Sequence, residues 1–161
     1  MDSLVAFHSG RCKNLTMALN LVKLCVGADT IEDLAAWQAS HRTRKSRDGT
    51  YCAFHRTFQT PKRQAELLDG GSIYWVVRGV ILVRQRLVGI EEGTKDDGSA
   101  CCVLLFAPEL TPVRPTPRRP FQGWRYLDAA DAPPDLKSGK KNQISAMPPN
   151  MRKTLADLGL I

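Results

Sequence analysis

The chain has 161 residues, with 23 lysines and arginines against 16 aspartates and glutamates, and hence a formal charge of +7. With 43% hydrophobic and 24% charged residues it has the composition of an ordinary globular domain, which excludes a fibrous repeat and wholesale disorder. Its longest apolar runs, Ile73 to Val77 and Ala100 to Ala107, fall far short of the roughly 20 residues that a membrane-crossing helix needs.

Residues 1–16 hold no apolar segment of the secretory type and no periodic pattern, so they are expected to be a disordered extension. A regular apolar pattern begins after Met17 with Leu19, Leu21, Val22, Leu24 and Val26, predicting a first strand that Gly27 ends. Asp29 and Glu32 have the spacing of a capping box, which predicts a helix over about 30–41. Its inward stripe would be Ile31, Leu34, Ala35 and Gln38, with Trp37 at the margin. The polar, basic run His41 to Gly49 then reads as a loop or mobile arm.

From Tyr51 to Phe58 a strand-like alternation places Tyr51, Ala53, His55 and Thr57 on one side and Cys52, Phe54, Arg56 and Phe58 on the other. Thr60 and Pro61 predict the start of a short helix, which Gly70-Gly71 ends. The densest strand signal follows, Ser72 to Arg78 and Val80 to Glu92, broken at Gly79. Alternation in the second piece puts Leu82, Arg84, Arg86, Val88 and Ile90 on one face and Ile81, Val83, Gln85 and Leu87 on the other. Asp97-Gly98 predicts an antiparallel connection to Ala100–Ala107. Pro108, Pro112, Pro115, Pro117 and Pro120 then exclude regular central strand.

The expected architecture is α+β: a small, mostly antiparallel, barrel-like sheet with two or three peripheral helices over residues 17–136. A linker and a short helical tail over 137–161 would follow. The five cysteines, Cys12, Cys25, Cys52, Cys101 and Cys102, are odd in number and contain no C-x-x-C, which points to reduced thiols in the cytoplasm.

Several stretches carry a resemblance: Leu-Val-Lys-Leu-Cys-Val-Gly at 21–27, Leu-Leu-Asp-Gly-Gly-Ser-Ile-Tyr-Trp-Val-Val-Arg-Gly at 67–79, Arg-Gln-Arg at 84–86 and Arg-Arg-Pro-Phe-Gln-Gly-Trp-Arg-Tyr-Leu at 118–127. Together they resemble an uncharacterised bacterial family of unknown function over roughly residues 17–136. That resemblance implies no activity. The short helix, the Gly70-Gly71 turn and the strand Ile-Tyr-Trp-Val also resemble the middle of the PUA and ASCH group of small barrels, which implies binding of RNA or modified bases.

Nucleic-acid binding needs cations for phosphates and flat surfaces for unpaired bases. Residues 41–63 hold seven lysines and arginines against Asp48 alone, and residues 110–127 hold four arginines and no acid, interleaved with Phe121, Trp124 and Tyr126. The leading expectation is therefore a module for nucleic acid, RNA rather than DNA, or for a modified nucleotide. Arg42, Arg44, Arg47, Arg118, Arg119 and Arg125 would contact phosphate, and Tyr74, Trp75, Trp124 or Tyr126 would face a base. Phe121 and Trp124 are equally suited to anchoring a loop.

Arg84 and Arg86 stand on one face of an otherwise apolar strand, where a charge must be paired or lie at a cavity mouth. They would hold a ligand anion, or pair with Glu91, Glu92 or an acid of the 128–135 segment. The alternative function is a small enzyme acting on an anionic substrate held by Arg84 and Arg86, with His55 or Cys52 as acid, base or nucleophile. A third is a partner-binding domain. Cys52-x-x-His55 alone makes no zinc site, and neither a phosphate-loop nor a dinucleotide fingerprint occurs, so no metal and no cofactor are expected.

Overall fold

The computed structural model describes residues 18–41, 44–45, 49–136 and 147–159. The expected extension at 1–16 lies outside the described residues, as does the linker at 137–146. Eight strands and three helices follow one another along these residues. They are β1 (Asn20–Leu24), α1 (Ile31–Ser40), β2 (Arg44–Lys45), β3 (Tyr51–Thr57), α2 (Gln64–Leu68) and β4 (Ser72–Val77). Then come β5 (Val80–Thr94), β6 (Ala100–Phe106), β7 (Thr111–Pro117), β8 (Trp124–Leu127) and α3 (Pro149–Asp157).

All eight strands join one sheet in the order β2-β3-β6-β5-β4-β1-β8, with β7 added to β5. Strand β5 is the spine. Its first half pairs with β4 and β7, and its second half pairs with β6. Every pairing is antiparallel except β1 with β4, which is parallel. The sheet rolls around a core of Leu21, Ala53, Ile73, Val83, Leu87, Leu104 and Phe106, with Trp75 and Trp124 between them. The strand order ends at β2 and β8 without closing, and the chain following β3 reaches β8 where Trp124 Nε1 donates to the Gln59 carbonyl at 2.7 Å. The fold is thus α+β with a barrel-like, mostly antiparallel sheet.

Local chemistry explains the boundaries. Thr30 is the N-cap of α1, accepting from the Asp33 amide at 3.0 Å while the Asp33 carboxylate accepts from the Thr30 amide. The box predicted from Asp29 and Glu32 is therefore displaced by one residue, and Asp29 instead pairs with Arg78 at 2.7 Å. Helix α2 begins at Gln64 after Arg63, with no side-chain cap, rather than at Thr60-Pro61. Arg78 and Gly79, at φ 52° and 81°, form the hairpin turn that joins β4 to β5. Gly71 is required for a different reason: a Cβ there would run into the backbone carbonyls of Leu19 and Leu67. That close approach seats the end of α2 against the start of β1.

The proline-rich segment forms strand β7 despite Pro112, Pro115 and Pro117. It lies on the edge of the first half of β5, where missing amide donors are tolerated. Beyond it, the Arg114 amide donates to Pro134 and the Leu136 amide to Pro112. A second apolar cluster, Val22, Tyr74, Val76, Ile81, Val113 and Leu127, covers the outer face of the sheet, with Phe121 and Ala132 packed on it. The tail helix α3 docks on the domain through Ala156, which packs with Val77, Val80 and Leu82.

Two register shifts alter the alternation predicted for β5. Leu82 is an extra residue opposite the Trp75/Val76 step and turns toward α3, and Val88 is an extra residue opposite β6. Between them Val83, Gln85 and Leu87 face inward, and Arg84 and Arg86 face outward, as the period predicts. After Val88 the parity flips, so Ile90 packs against the inner core.

Candidate functional site

On β1 the inward positions are Leu21 and then Lys23, preceded by Leu19 just before the strand, so the third rung of an apolar ladder is a cation. Lys23 is half-buried and lies in register with Trp75 of β4 on one side and Trp124 of β8 on the other. It lines a cavity of about 360 Å³ between α1 and the open end of the sheet. Trp37, His55, Trp75 and Phe106 supply aromatic walls, and Gln38 supplies a buried amide. Val26, 92% exposed, and Trp37, 49% exposed, stand at its rim.

The cavity's back wall is held rigidly. Gln85, fully buried, accepts from Trp75 Nε1 and from Gln38 Nε2, both at 2.8 Å, and donates to Gln38 Oε1 at 2.7 Å and to the Ala107 carbonyl at 3.1 Å. Because the indole can only donate and the carbonyl can only accept, these bonds fix the amide orientation of Gln85 and, through it, of Gln38. Gln38 keeps one N–H and one lone pair beyond that pairing. Trp75 also packs edge-on against His55 and Phe106, at 6.0 and 5.7 Å between ring centroids.

Electrostatically the cavity is unusual for what it lacks. Among the described residues no carboxylate lines it. Burial and the Lys23 charge push the His55 pKa down to about 4, so the ring is neutral near pH 7 with one donor and one acceptor nitrogen. Burial pushes the Cys25 thiol up to about 11, with Asp33 adding to the effect, and burial also lowers the Lys23 pKa. Among the described residues Lys23 makes no hydrogen bond or ion pair.

A second, shallow surface lies on the outside of β8. Pro117, Arg118, Arg119, Pro120, Phe121, Arg125 and Tyr126 line it. The guanidinium groups of Arg118 and Arg125 lie 5.8 and 5.4 Å from the Phe121 ring. Among the described residues no carboxylate pairs with Arg118, Arg119 or Arg125. The first basic segment meets this surface: the Lys62 and Arg63 amides donate to the Tyr126 hydroxyl at 3.0 and 3.2 Å, and the Arg63 guanidinium lies 5.6 Å from its ring. Two basic stretches remote in sequence are thereby brought together.

The remaining residues singled out from the sequence separate by environment. Trp75 and Trp124 are 4% and 7% exposed, Trp75 as a cavity wall and Trp124 as the anchor of the loop after β3, so neither stands on the surface as a stacking platform. Tyr74 is buried on the outer face. Arg84 is bound to Asp135 through two hydrogen bonds of 2.7 and 2.8 Å and to Ser72 Oγ at 3.1 Å, so of the partners open to it, a ligand anion, Glu91, Glu92 or an acid of 128–135, it takes the last, in a partly exposed pair on the outer face. Arg86 is exposed beside it. Cys52 is buried with Cys101, Val103 and Leu105 on the face of β3 opposite to His55, so the two do not share a site. Arg42 and Arg47 lie outside the described residues, and of Arg44 only the backbone, paired with Cys52 in β2, is described.

Sequence reasoning missed Lys23. The signal was present, since a lysine two positions after Leu21 continues the inward parity of Leu19 and Leu21.

Residues 21–161 match the model of a family described as "Protein of unknown function (DUF1489)". No curated protein matches the chain. Among solved structures, the chain is similar to a serine-to-alanine variant of ZmASCH from Zymomonas mobilis, at 11% identity and a TM-score of 0.41, over 78% of this chain and 93% of that one. It is also similar to a tyrosine-to-phenylalanine variant of the same protein, at 14% identity and a TM-score of 0.39, over 79% of this chain and 97% of that one.

Proposed function

The chain belongs to the DUF1489 family of proteins of unknown function, and from its own geometry we propose that it binds single-stranded nucleic acid, RNA before DNA, or a modified nucleotide. One observation carries this reading: the chain combines an aromatic-walled cavity that holds a cation without a partner among the described residues with a surface where two basic segments meet at Tyr126. A cavity of about 360 Å³ is in the range of small-ligand sites, and its flat walls and neutral imidazole suit a base taken out of a strand. Arg118, Arg119 and Arg125 would meet phosphates on the outside of β8. Arg42, Arg44 and Arg47 follow directly on His41, whose ring stacks on Trp37 at the cavity rim, with centroids 4.5 Å apart. Arginine suits this task because its planar fork engages phosphate through two bonds at once. The same reading puts the protein in the cytoplasm, where Cys25, Cys52, Cys101 and Cys102 stay free. No helix among the described residues is long and apolar enough to cross a membrane.

The test is binding of the protein to short single-stranded RNA, structured RNA and DNA across a salt series. Trp37→Ala and an Arg118→Ala/Arg119→Ala double variant are measured beside it. The expected result is affinity that falls steeply with salt. The double variant flattens the slope of log K against log salt by about 1.4, or about 0.7 for each single-strand phosphate left without its arginine. Trp37→Ala weakens binding equally at all salt concentrations. Absence of binding at low salt would overturn the proposal.

A further inference from the structure

A half-buried ammonium gains from a partner, because an opposite charge or good hydrogen bonds replace the part of its hydration that burial removes. Lys23 has neither among the described residues. Several other cations are matched, Arg63 with Glu66, Arg78 with Asp29, Arg84 with Asp135 and Lys153 with Asp157, whereas among the described residues Arg118, Arg119 and Arg125 stand without a carboxylate on the surface and Arg152 of the tail helix is buried with its Nε unpaired. Lys23 differs also in position, since it lines a cavity and the matched cations stand on the surface or on the outer face.

The groups around it define what it can take. Within the cavity lining every other ionisable group is neutral: the His55 ring carries no charge at pH 7, and the Cys25 thiol stays protonated. On the adjoining helix, the Asp33 carboxylate is engaged by the Asp29 and Thr30 amides at 3.1 and 3.2 Å. Among the described residues none supplies a negative charge to Lys23, which leaves that role to an occupant. In a half-buried, aromatic-walled space such a pair is stronger than on the surface, and the amide of Gln38 and the imidazole of His55 remain for neutral hydrogen bonds.

We propose that Lys23 anchors an acidic group on the ligand, so that the cavity selects a flat heteroaromatic base bearing a negative charge over its neutral counterpart. This rests on the reading of the cavity as a base site and adds its selectivity. The charge has two sources to distinguish, the ring itself or a phosphate on the same nucleoside. The shared requirement is an anion within reach of Lys23 while the ring lies between Trp37 and Trp75.

The experiment is calorimetric titration of the full chain with neutral and acidic nucleosides of matched shape. The pairs are uridine with 5-carboxyuridine and inosine with xanthosine, with uridine and inosine 5′-monophosphates alongside. Each is measured for the wild type, Lys23→Met and Lys23→Arg. The acidic member of at least one pair, or a monophosphate, is expected to bind about tenfold tighter than its neutral parent. That preference collapses in Lys23→Met and persists in Lys23→Arg, with the urea midpoint of both variants measured as a check on folding. A gain from the ring acid locates the charge on the base, and a gain from the phosphate alone locates it on the sugar. Equal binding of neutral and acidic forms, or a preference that survives Lys23→Met, overturns this inference and leaves the base-site reading standing. Failure of every nucleoside to bind overturns both.

Discussion

The two ends of β1 treat polar side chains in opposite ways. At its start, Asn20 accepts from the Ser72 amide at 2.9 Å and donates to the Ala18 carbonyl, Ser72 Oγ accepts from Arg84, and Arg84 closes on Asp135. A hollow of about 250 Å³ lies there, but its Asn20, Ser72, Arg84 and Asp135 are joined in one chain of hydrogen bonds. Three positions along the strand, Lys23 faces a cavity with His55 and Gln38, and among the described residues Lys23 has no partner at all. Buried polar groups in native structures are nearly always paired, and the first arrangement meets that rule within the fold, whereas half-exposed Lys23 has room to meet an occupant. The cation that the sequence made conspicuous, Arg84, belongs to the structural end, and the inconspicuous Lys23 belongs to the open one.

Replacement of Gln85 breaks the comparison most severely. Gln85→Leu strands the Trp75 indole N–H, the Gln38 amide and the Ala107 carbonyl in the interior, where each unsatisfied group costs about 1–3 kcal/mol. A loss of about 3 kcal/mol or more in urea unfolding is expected. A smaller loss would show that these groups find water, and so that the cavity wall is wet.

Acidification probes the open end through His55. The ring's folded pKa of about 4 lies below its ordinary 6.5, so between those values the unfolded chain binds the extra proton and the native state does not. Stability attributable to His55 is therefore intact above pH 6.5 and declines as pH falls toward 4, by on the order of 2 kcal/mol. His55→Phe should remove that part of the decline. Urea midpoints at about pH 7 and about pH 4.5 for the two proteins measure it directly.

At the structural end the effects are smaller. Arg84→Met removes a partly exposed ion pair and its bond to Ser72, for an expected loss of about 1 kcal/mol and no change in nucleic-acid affinity. A binding defect in this variant would contradict the division between the two ends. The smallest change in stability belongs to Arg118→Ala/Arg119→Ala, within about 0.5 kcal/mol, because neither guanidinium is paired with a carboxylate among the described residues. Its effect should appear only in the salt dependence of binding. Lys23→Met sharpens the contrast further, since removing an unpartnered, half-buried charge should leave the urea midpoint unchanged or raise it while the preference for acidic ligands disappears.

Much of the fold was legible from local pattern. The strands around Leu21, Ala53, Trp75, Val83 and Leu104, the first helix and the Arg78-Gly79 break all follow from apolar period and turn chemistry, which act over a few residues. What escaped was of a different kind. Strand β7 was hidden because its prolines forbid a central position and say nothing about an edge, and β8 because Trp124–Leu127 is too short to alternate convincingly. The parallel pairing of β1 with β4 leaves no trace in either segment.

By itself the sequence determined the class of the protein: α+β, basic, built on a covered antiparallel spine, with Lys and Arg gathered at 41–63 and 110–127. Composition and period are sums over neighbours along the chain, so they are readable without knowing who meets whom. Only the tertiary structure decided that Asp135 reaches Arg84, that Tyr126 receives the amides of Lys62 and Arg63, and that Lys23 receives nothing from the described residues. Those outcomes depend on the roll of the sheet and on the one-residue shifts at Leu82 and Val88, which reset the faces of β5 and fix which side chains share an end. A charge is structural or functional according to its partner, and partners are chosen across the fold.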